Sequence, residues 1–273
     1  MQIVASPARQ RNPDAPDQQE SIRIERVDKA YHESAGAPTL ALENIKLNVP
    51  ANAFVSLLGP SGSGKSTLLK LIAGIERPSS GVIYCRGQVL DGVNTDVAYV
   101  PQGRGLFPWM TLLANIELPL KIARVAAAER RRKALEWIER VKLGGFEHKF
   151  PRQLSGGMEK RGSLARALIT GKPILLMDEP FGPLDAQTRL SLQQQLTQLW
   201  EDVQNTVVFV THDVIEAIAL SDIVVVLSPR PGRILDAITV SLPRPRNVLS
   251  VPDCDGFAEL HARLQGLLFH ELT

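Results

Sequence analysis

The sequence predicts an α/β fold with a mainly parallel core sheet, an antiparallel β subdomain and an inserted α-helical subdomain. The first observation is a set of short apolar segments that alternate with helical patterns, as in parallel sheets whose strands are joined by helices. These segments end at Leu58, Val100, Met177, Val210 and Leu227. The second is a group of strand patterns at 22–27, 45–49 and 81–84, which suggests an antiparallel sheet beside the segment that ends at Leu58.

The third observation is how composition divides the chain. Residues 1–20 are polar, rich in Pro, Gln and Asp, and lack a secretion signal, so we expect a disordered tail. Residues 21–240 form the main domain, whose insertion is mostly helical over 103–153 and whose helical subdomain extends to about 170. Residues 241–273 form a Pro-rich linker and a last helix. We expect that helix to pack one apolar side on the body through Phe257, Leu260, Leu264, Leu267 and Leu268.

Composition excludes several classes of protein. The chain has 273 residues, of which 44% are hydrophobic, so it can bury a substantial core. Its longest apolar stretches fall far short of the roughly 20 residues that cross a bilayer, so we expect it not to span a membrane. The two cysteines, Cys85 and Cys254, lack metal-ligand spacing, which is typical of free thiols in a reducing cytoplasm.

The basic cluster at 130–133 does not indicate a nucleic-acid site, and the formal charge of the whole chain is only +2. The cluster falls on a helix pattern with apolar residues at i, i+3, i+4 and i+7, namely Ala134, Trp137, Ile138 and Val141. The i,i+4 spacing predicts two ion pairs, Glu129 with Lys133 and Glu136 with Arg140. A solvated helix face therefore explains these charges, and we predict no nucleic-acid partner.

A glycine-rich segment at 59–67 matches the pattern G-x-x-x-x-G-K-[ST]. In this pattern backbone N–H groups close around phosphate oxygens, Lys65 reaches the β- and γ-phosphates, and the Ser66 hydroxyl ligates magnesium. A strand pattern precedes the segment and a helix pattern follows it, which argues against a flexible surface loop. The sequence thus predicts a site for ATP and Mg²⁺ at Gly59, Pro60, Ser61, Gly62, Ser63, Gly64, Lys65, Ser66 and Thr67.

Two adjacent carboxylates, Asp178 and Glu179, follow the apolar run at 174–177. Neighbouring side chains on a strand point to opposite faces. At the end of the strand, one carboxylate can therefore face the magnesium shell while the other turns toward the attacking water. We expect Asp178 to hold the metal and Glu179 to act as the catalytic base.

A second candidate phosphate site is the segment Leu-Ser-Gly-Gly-Met at 154–158. Ser155, Gly156 and Gly157 can cap the helix pattern of about 158–169, which offers a hydroxyl group, free N–H groups and a positive helix end. One chain cannot direct this helix and the phosphate loop at the same γ-phosphate if they lie on opposite sides of the subunit. A two-fold dimer that encloses two nucleotides is the economical solution. A P-loop kinase would leave this segment without a role.

Together these motifs resemble the ATPase subunits of ATP-binding cassette transporters, over nearly the whole chain after residue 20. Within that family the chain is most similar to the importers of nitrate, sulfonates and taurine, because of residues 105–109, Met158 and residues 227–234. The resemblance implies an ATP-hydrolysing homodimer, peripheral on the cytoplasmic face of the cell membrane. It also implies integral membrane permease subunits, a periplasmic or extracellular solute-binding protein, and uptake of nitrate, taurine, a sulfonate or a related anion.

The resemblance implies roles for further residues. Tyr31 matches the aromatic residue on which adenine stacks. Gln102 matches the glutamine that senses magnesium and the attacking water, and His212 matches the histidine that contacts the γ-phosphate. Asp185 matches the aspartate that communicates across the dimer, where it joins Ser155, Gly156 and Gly157 in the partner's ATP pocket. Residues 102–109 lie where the family has a groove that contacts the permease. Phe107 and Trp109 either line this groove or pack inside their own loop.

A cassette ATPase that moves no solute is the competing hypothesis, for example a mechanical transmitter or a nucleic-acid-associated protein. The chain carries one cassette, without the long coiled coils or zinc-binding cysteine pairs of DNA-repair relatives. These features argue against most such roles. Solute selectivity belongs to the permease and the binding protein, so this chain leaves the choice among the candidate solutes open.

Overall fold

The structure is a computed structural model that describes residues 20–31, 38–103 and 105–270. Of the predicted disordered tail at 1–20, only Glu20 lies within these ranges. The strands within them are β1 (Glu20–Tyr31), β2 (Thr39–Pro50), β3 (Phe54–Leu58), β4 (Ser80–Cys85), β5 (Gln88–Val89), β6 (Val97–Val100), β7 (Ile174–Asp178), β8 (Thr206–Thr211), β9 (Ile223–Leu227) and β10 (Ile234–Thr239). The α-helices are α1 (Lys65–Ile72), α2 (Leu112–Ile122), α3 (Ala127–Arg140), α4 (Gly156–Leu168), α5 (Ala186–Val203), α6 (Val214–Leu220) and α7 (Phe257–His270).

The strands form two sheets. The larger has the order β10-β9-β3-β8-β7-β6, and the smaller has the order β2-β1-β4-β5. All neighbours from β9 to β6 in the larger sheet pair in parallel, and the smaller sheet is antiparallel throughout. The predicted parallel core and antiparallel subdomain are therefore confirmed. Strand β10, which pairs antiparallel to β9, was not predicted from the sequence.

The core lies on both sides of the larger sheet because side chains alternate along its buried strands. In β3, Phe54 and Leu58 join the cluster that contains α2 to α6, whereas Val55 and Leu57 join the cluster that contains α1 and the antiparallel sheet. All five residues of β3 are buried. This burial on both faces explains the continuous apolar run that precedes the glycine-rich segment.

The inserted region is helical, and its middle helix, α3, packs as the periodicity predicts. Ala134, Ile138 and Val141 are buried, and Trp137 is partly buried against them. Glu129 and Lys133 form the predicted ion pair at 2.8 Å. The predicted pair of Glu136 with Arg140 is wrong. Glu136 accepts from Arg132, while Arg140 lies at the end of α3 beside α5, where Asp202 is 3.5 Å away.

Two arginines anchor the C-terminal linker to the body. Arg244 Nε donates to Asp222 Oδ1 at 2.9 Å, and its guanidinium lies over the ring of Trp200. Arg246 is buried and donates to backbone carbonyl groups, including Ile218 O at 3.0 Å. The last helix then packs its apolar side on the main core through Phe257, Leu260, Leu264, Leu267 and Leu268. Across the described ranges, no helix combines the length and apolar character that a membrane crossing requires.

Candidate active site

The glycine-rich segment forms the turn between β3 and α1. Gly62 and Gly64 have φ values of 82° and 88°, in the left-handed region that glycine adopts without strain. A Cβ on Gly64 would lie 2.5 Å from Leu42 Cδ2, so the loop also needs a small residue there. Helix α1 begins directly after Gly64, and its first N–H groups therefore belong to the loop. This is the strand–loop–helix arrangement that binds phosphate groups.

The Lys65 side chain is buried along the inside of this loop. Its Nζ donates to Gly59 O and Pro60 O, both at 2.8 Å. Burial lowers the pKa of Lys65, and the nearby charges of Glu179 and Asp178 partly oppose this shift. The Lys65 ammonium group thus lies between the loop and the two carboxylates that the sequence predicts for the site.

Asp178 and Glu179 point to different partners, as expected for neighbours at a strand end. Ser66 Oγ donates to Asp178 Oδ1 at 2.7 Å, and Tyr99 OH donates to Asp178 Oδ2 at 3.2 Å. Tyr99 was missed by sequence reasoning, although its place near the end of β6 brings it beside the end of β7. Burial, followed by the charge of Asp178, raises the pKa of Tyr99. The phenol therefore stays protonated and acts as a donor to this carboxylate.

Glu179 lies at the centre of a second group of polar side chains. Gln102 Nε2 donates to Glu179 Oε2 at 3.0 Å, and His212 Nδ1 lies 3.6 Å from Glu179 Oε1. The φ angle of Glu179 is 40°, a left-handed conformation that is uncommon outside glycine, and its N–H bonds to Val210 O. The turn after β7 thus brings Glu179 to residues that follow β6 and β8, which are separated from it in sequence.

A buried carboxyl group, Glu216, lines the same pocket as Glu179 and His212 and was also missed. It accepts from Thr211 Oγ1 and from Gln193 Nε2, the latter at 2.8 Å. Burial raises the pKa of Glu216. Asp213 begins α6 as its cap by accepting from the Glu216 N–H. This spacing of Asp and Glu at a helix start is a signal for the capped turn, but not for the contact with Gln193 on α5.

Tyr31 lies beside α1. Its hydroxyl donates to Glu76 Oε2 at 2.6 Å and is 3.3 Å from Thr67 Oγ1. The ammonium of Lys29 lies 4.9 Å from the centre of the ring. The tyrosine is therefore next to the phosphate loop, and its contact with adenine stays a prediction.

The second glycine segment begins α4, as predicted. Ser155 Oγ accepts from the Met158 N–H at 3.3 Å. A Cβ on Gly157 would lie 2.5 Å from Thr188 Cγ2, so this glycine allows α4 to approach the start of α5. Asp185 caps α5 by accepting from Thr188, and these hydrogen bonds lower the pKa of Asp185. In the part of the chain that the structure describes, no hydrogen bond or ion pair joins Ser155, Gly157 or Asp185 to the phosphate loop.

The segment after Gln102 carries two exposed aromatic side chains. Phe107 and Trp109 contact each other with ring centres 5.4 Å apart, and Trp109 is 72% exposed. The buried Asn115 amide accepts from the Phe107 N–H, and the two N–H bonds of its Nδ2 are shared among three backbone carbonyl groups within 3.1 Å, which include Phe107 O. The loop is therefore held firmly while its aromatic rings face outward.

Gly105→Ala is expected to lower the free energy of unfolding by about 1–3 kcal/mol, because a methyl group added to a packed contact forces its neighbours to move. The added Cβ would lie 1.9 Å from Ser163 Oγ on α4. Ser163→Gly removes the opposing atoms, so Gly105→Ala should cost less in that background. Urea unfolding of the wild type, the two single variants and the double variant measures this coupling. Additive changes in the free energy of unfolding would contradict the contact.

Comparison with known proteins agrees with this geometry. Residues 42–182 match the family described as ABC transporter. The chain belongs to this family. It is 42% identical to an uncharacterized ABC transporter ATP-binding protein of Methanocaldococcus jannaschii, over 92% of each chain. It is 41% identical to an aliphatic sulfonates import ATP-binding protein of Bacillus cereus, over 83% of this chain and 89% of that protein. It is 42% identical to a bicarbonate transport ATP-binding protein of Synechococcus elongatus, over 89% of this chain and 37% of that longer protein.

Solved structures give the same result. An ATP-binding cassette in a dimeric post-hydrolysis state, bound to ADP and phosphate, aligns with a TM-score of 0.72 and 33% identity. The alignment covers 81% of this chain and 99% of that cassette. A second dimeric structure of an ABC transporter cassette has the same TM-score and 34% identity. The protein is therefore an ATP-binding and ATP-hydrolysing subunit within this family.

Proposed function

We propose that two copies of this ATPase bind two ATP molecules between them and drive the uptake of a small anion through a membrane permease. The observation that carries the catalytic part of the proposal is the contact of Glu179 with both Gln102 and His212. These three side chains come from the ends of neighbouring parallel strands, where open α/β sheets bind ligands. The phosphate loop occupies the same edge of the sheet.

Within this group each residue has a separate task. Glu179 accepts a proton from the attacking water and polarises it toward the γ-phosphorus atom, while Gln102 and His212 fix the position of that water. Lys65 offsets the negative charge that develops on the transferring phosphoryl group. Backbone N–H groups of residues 59–67 hold the remaining phosphate oxygens.

Ser66 and Asp178 have the donor atoms that suit Mg²⁺. Their hydroxyl and carboxylate oxygens lie 2.7 Å apart, and hard oxygen ligands are those that Mg²⁺ prefers. We assign Ser66, Asp178 and the side chain of Gln102 to hold this ion together with the phosphates. When bound, Mg²⁺ neutralises charge on the β- and γ-phosphate oxygens. Tyr99 keeps the Asp178 carboxylate oriented toward Ser66.

The dimer follows from the separate location of the second glycine segment. Ser155, Gly156 and Gly157 form a positive helix end with a hydroxyl group and free N–H groups, which suits a phosphate group of the partner's ATP. Asp185 lies at the adjacent start of α5 and faces the same partner. Each γ-phosphate would then attract α4 of the other copy and close the dimer. Hydrolysis removes that attraction and lets the dimer open.

The transported solute is assigned by chemical class. Two of the relatives described above are named for aliphatic sulfonates and for bicarbonate, which are both small anions. We propose nitrate, taurine, a sulfonate or a related anion, delivered by a periplasmic or extracellular solute-binding protein. The ATPase would lie on the cytoplasmic face of the inner membrane and contact the permease through the loop of Phe107 and Trp109. No observation favours a non-transport role.

Isolation of the tagged chain from membranes tests the transport proposal. We expect a multi-span permease to accompany it, and Trp109→Ala to weaken that association by about tenfold or more, because exposed tryptophans are frequent interface hot spots. Val93→Ala, at another exposed apolar residue outside the helical insertion, is the control. In the reconstituted complex, one of the proposed anions with its binding protein should stimulate ATP hydrolysis. Recovery of ribosomes or DNA in place of a permease would contradict the proposal.

A further inference from the structure

Lys160 is a buried lysine that the reaction described above does not use. It lies in the second turn of α4 and is only 8% exposed. Its Nζ donates to Gln102 O at 3.0 Å and to Gly103 O at 2.9 Å. Within the described ranges, its ammonium forms no ion pair with a carboxylate. Burial lowers the pKa of Lys160, and the charge of Glu159 opposes this shift.

A buried ammonium group in this position destabilises the folded chain unless hydrogen bonds compensate for its lost hydration. Transfer of an ammonium group from water into a protein interior is unfavourable, and an apolar side chain of similar volume is often as stable or more stable. Two charge-assisted hydrogen bonds to backbone carbonyl groups offset part of this cost. The arrangement therefore favours a role in fixing the loop at Gln102 and Gly103, beyond a contribution to stability.

The two ends of this contact belong to different parts of the proposed dimer. Gln102 bonds to Glu179 in the pocket of its own subunit. Helix α4 begins at Ser155, Gly156 and Gly157, which we assign to the partner's pocket. Gly105 of the same loop also packs closely against Ser163 on α4, without room for a Cβ between them. The hydrogen bonds of Lys160 and this packing would therefore transmit a shift of the loop to α4, and a shift of α4 to Gln102.

We propose that Lys160 is a positioning residue that couples Gln102 in one ATP pocket to the α4 segment that completes the other pocket. This inference rests on the proposed dimer. In it, ATP bound beside Gln102 orders the loop, and Lys160 transmits that order to the start of α4. Closure of the dimer and alignment of the attacking water then both depend on the hydrogen bonds from Lys160 to the loop.

Lys160→Met tests this role because it keeps an unbranched side chain of similar length without the ammonium group. We expect kcat for ATP hydrolysis to fall by about tenfold, with little change in KM, because misplaced catalytic groups reduce rate without abolishing substrate binding. Lys160→Gln retains a donor and should recover part of the rate. Lys133→Met, at a solvent-facing ion pair of α3, is the matched control and should hydrolyse ATP as the wild type does.

A second measurement separates coupling from stability. In the Glu179→Gln background with saturating ATP, Lys160→Met should raise the protein concentration for half-maximal dimerisation by about fivefold or more, which is the lower range of measured coupling between sites. The affinity of the monomer for nucleotide and the unfolding midpoint should not fall. Wild-type kcat together with unchanged dimerisation would overturn the role of Lys160. Absence of ATP-driven dimerisation in Glu179→Gln itself would instead contradict the proposed function.

Discussion

Glu179→Gln is expected to lower kcat for ATP hydrolysis by about 100- to 10,000-fold while ATP affinity stays nearly unchanged, because a positioned general base contributes a factor of this size. Glutamine has the same shape as glutamate and can still bond to Gln102, but it does not accept a proton from water. Phosphate release under saturating ATP measures the rate, and equilibrium binding of ATP measures the affinity. A fully active variant would contradict the assignment of the base.

The surroundings of Glu179 make this result specific. His212 and Gln102 approach its two different carboxylate oxygens, so the geometry of the group is retained when one oxygen becomes an amide nitrogen. Glu136→Gln is the matched control, because that glutamate lies on the solvent side of α3 and, among the described residues, pairs only with Arg132. It should hydrolyse ATP at the wild-type rate. A similar loss in both variants would indicate a general effect of removing charge.

Lys65→Ala is expected to weaken ATP binding and to abolish measurable hydrolysis. The variant removes the cation that lies between the phosphate loop and the two carboxylates. It also leaves Gly59 O and Pro60 O without their donor, since both accept from Lys65 Nζ. Loss of the hydrogen bond between the Lys65 ammonium group and a phosphate oxygen should cost about 1.5–3 kcal/mol of binding free energy, which is roughly 10- to 150-fold in affinity for ATP. Calorimetric titration with ATP and Mg²⁺ measures this change.

Lys70→Ala provides the control for Lys65→Ala. Lys70 lies on the same helix, α1, and its ammonium is 3.6 Å from Glu76 at the surface. Exposed ion pairs of this kind contribute about 0–1 kcal/mol, so we expect normal ATP affinity and hydrolysis. ATP affinity of Lys65→Ala equal to that of Lys70→Ala would show that the loop does not bind the triphosphate as proposed.

Local sequence patterns were sufficient for the elements that depend on local physics. The glycine-rich segment needs residues that accept left-handed conformations, and Gly62 and Gly64 adopt them. The cap of α4 by Ser155 was also predictable, because serine before a helix satisfies a free N–H group. In the same way, an apolar run before Asp178 indicated a buried strand that ends at a polar edge.

Contacts between distant segments were not predictable in the same way. Tyr99 meets Asp178, and Lys160 meets the loop at Gln102, only because the folded sheet and α4 bring them together. No periodicity in a single segment contains that information. Arg140 illustrates the same limit. Its spacing from Glu136 suggested a local pair, but a carboxylate on a neighbouring helix was the partner. Strand β10 has a mixed burial pattern, so its alternation was weak.

The mass of Glu179→Gln in solution with ATP and Mg²⁺, measured by sedimentation, tests whether ATP joins two copies of the chain. We expect a stable species of twice the 29.9 kDa chain that retains two ATP molecules, and a single chain when ADP replaces ATP. Ser155→Ala with Gly157→Asp in the same background should remain a single chain. A Glu179→Gln protein that binds ATP fully but stays a single chain at every concentration tested would show that ATP does not hold two copies together.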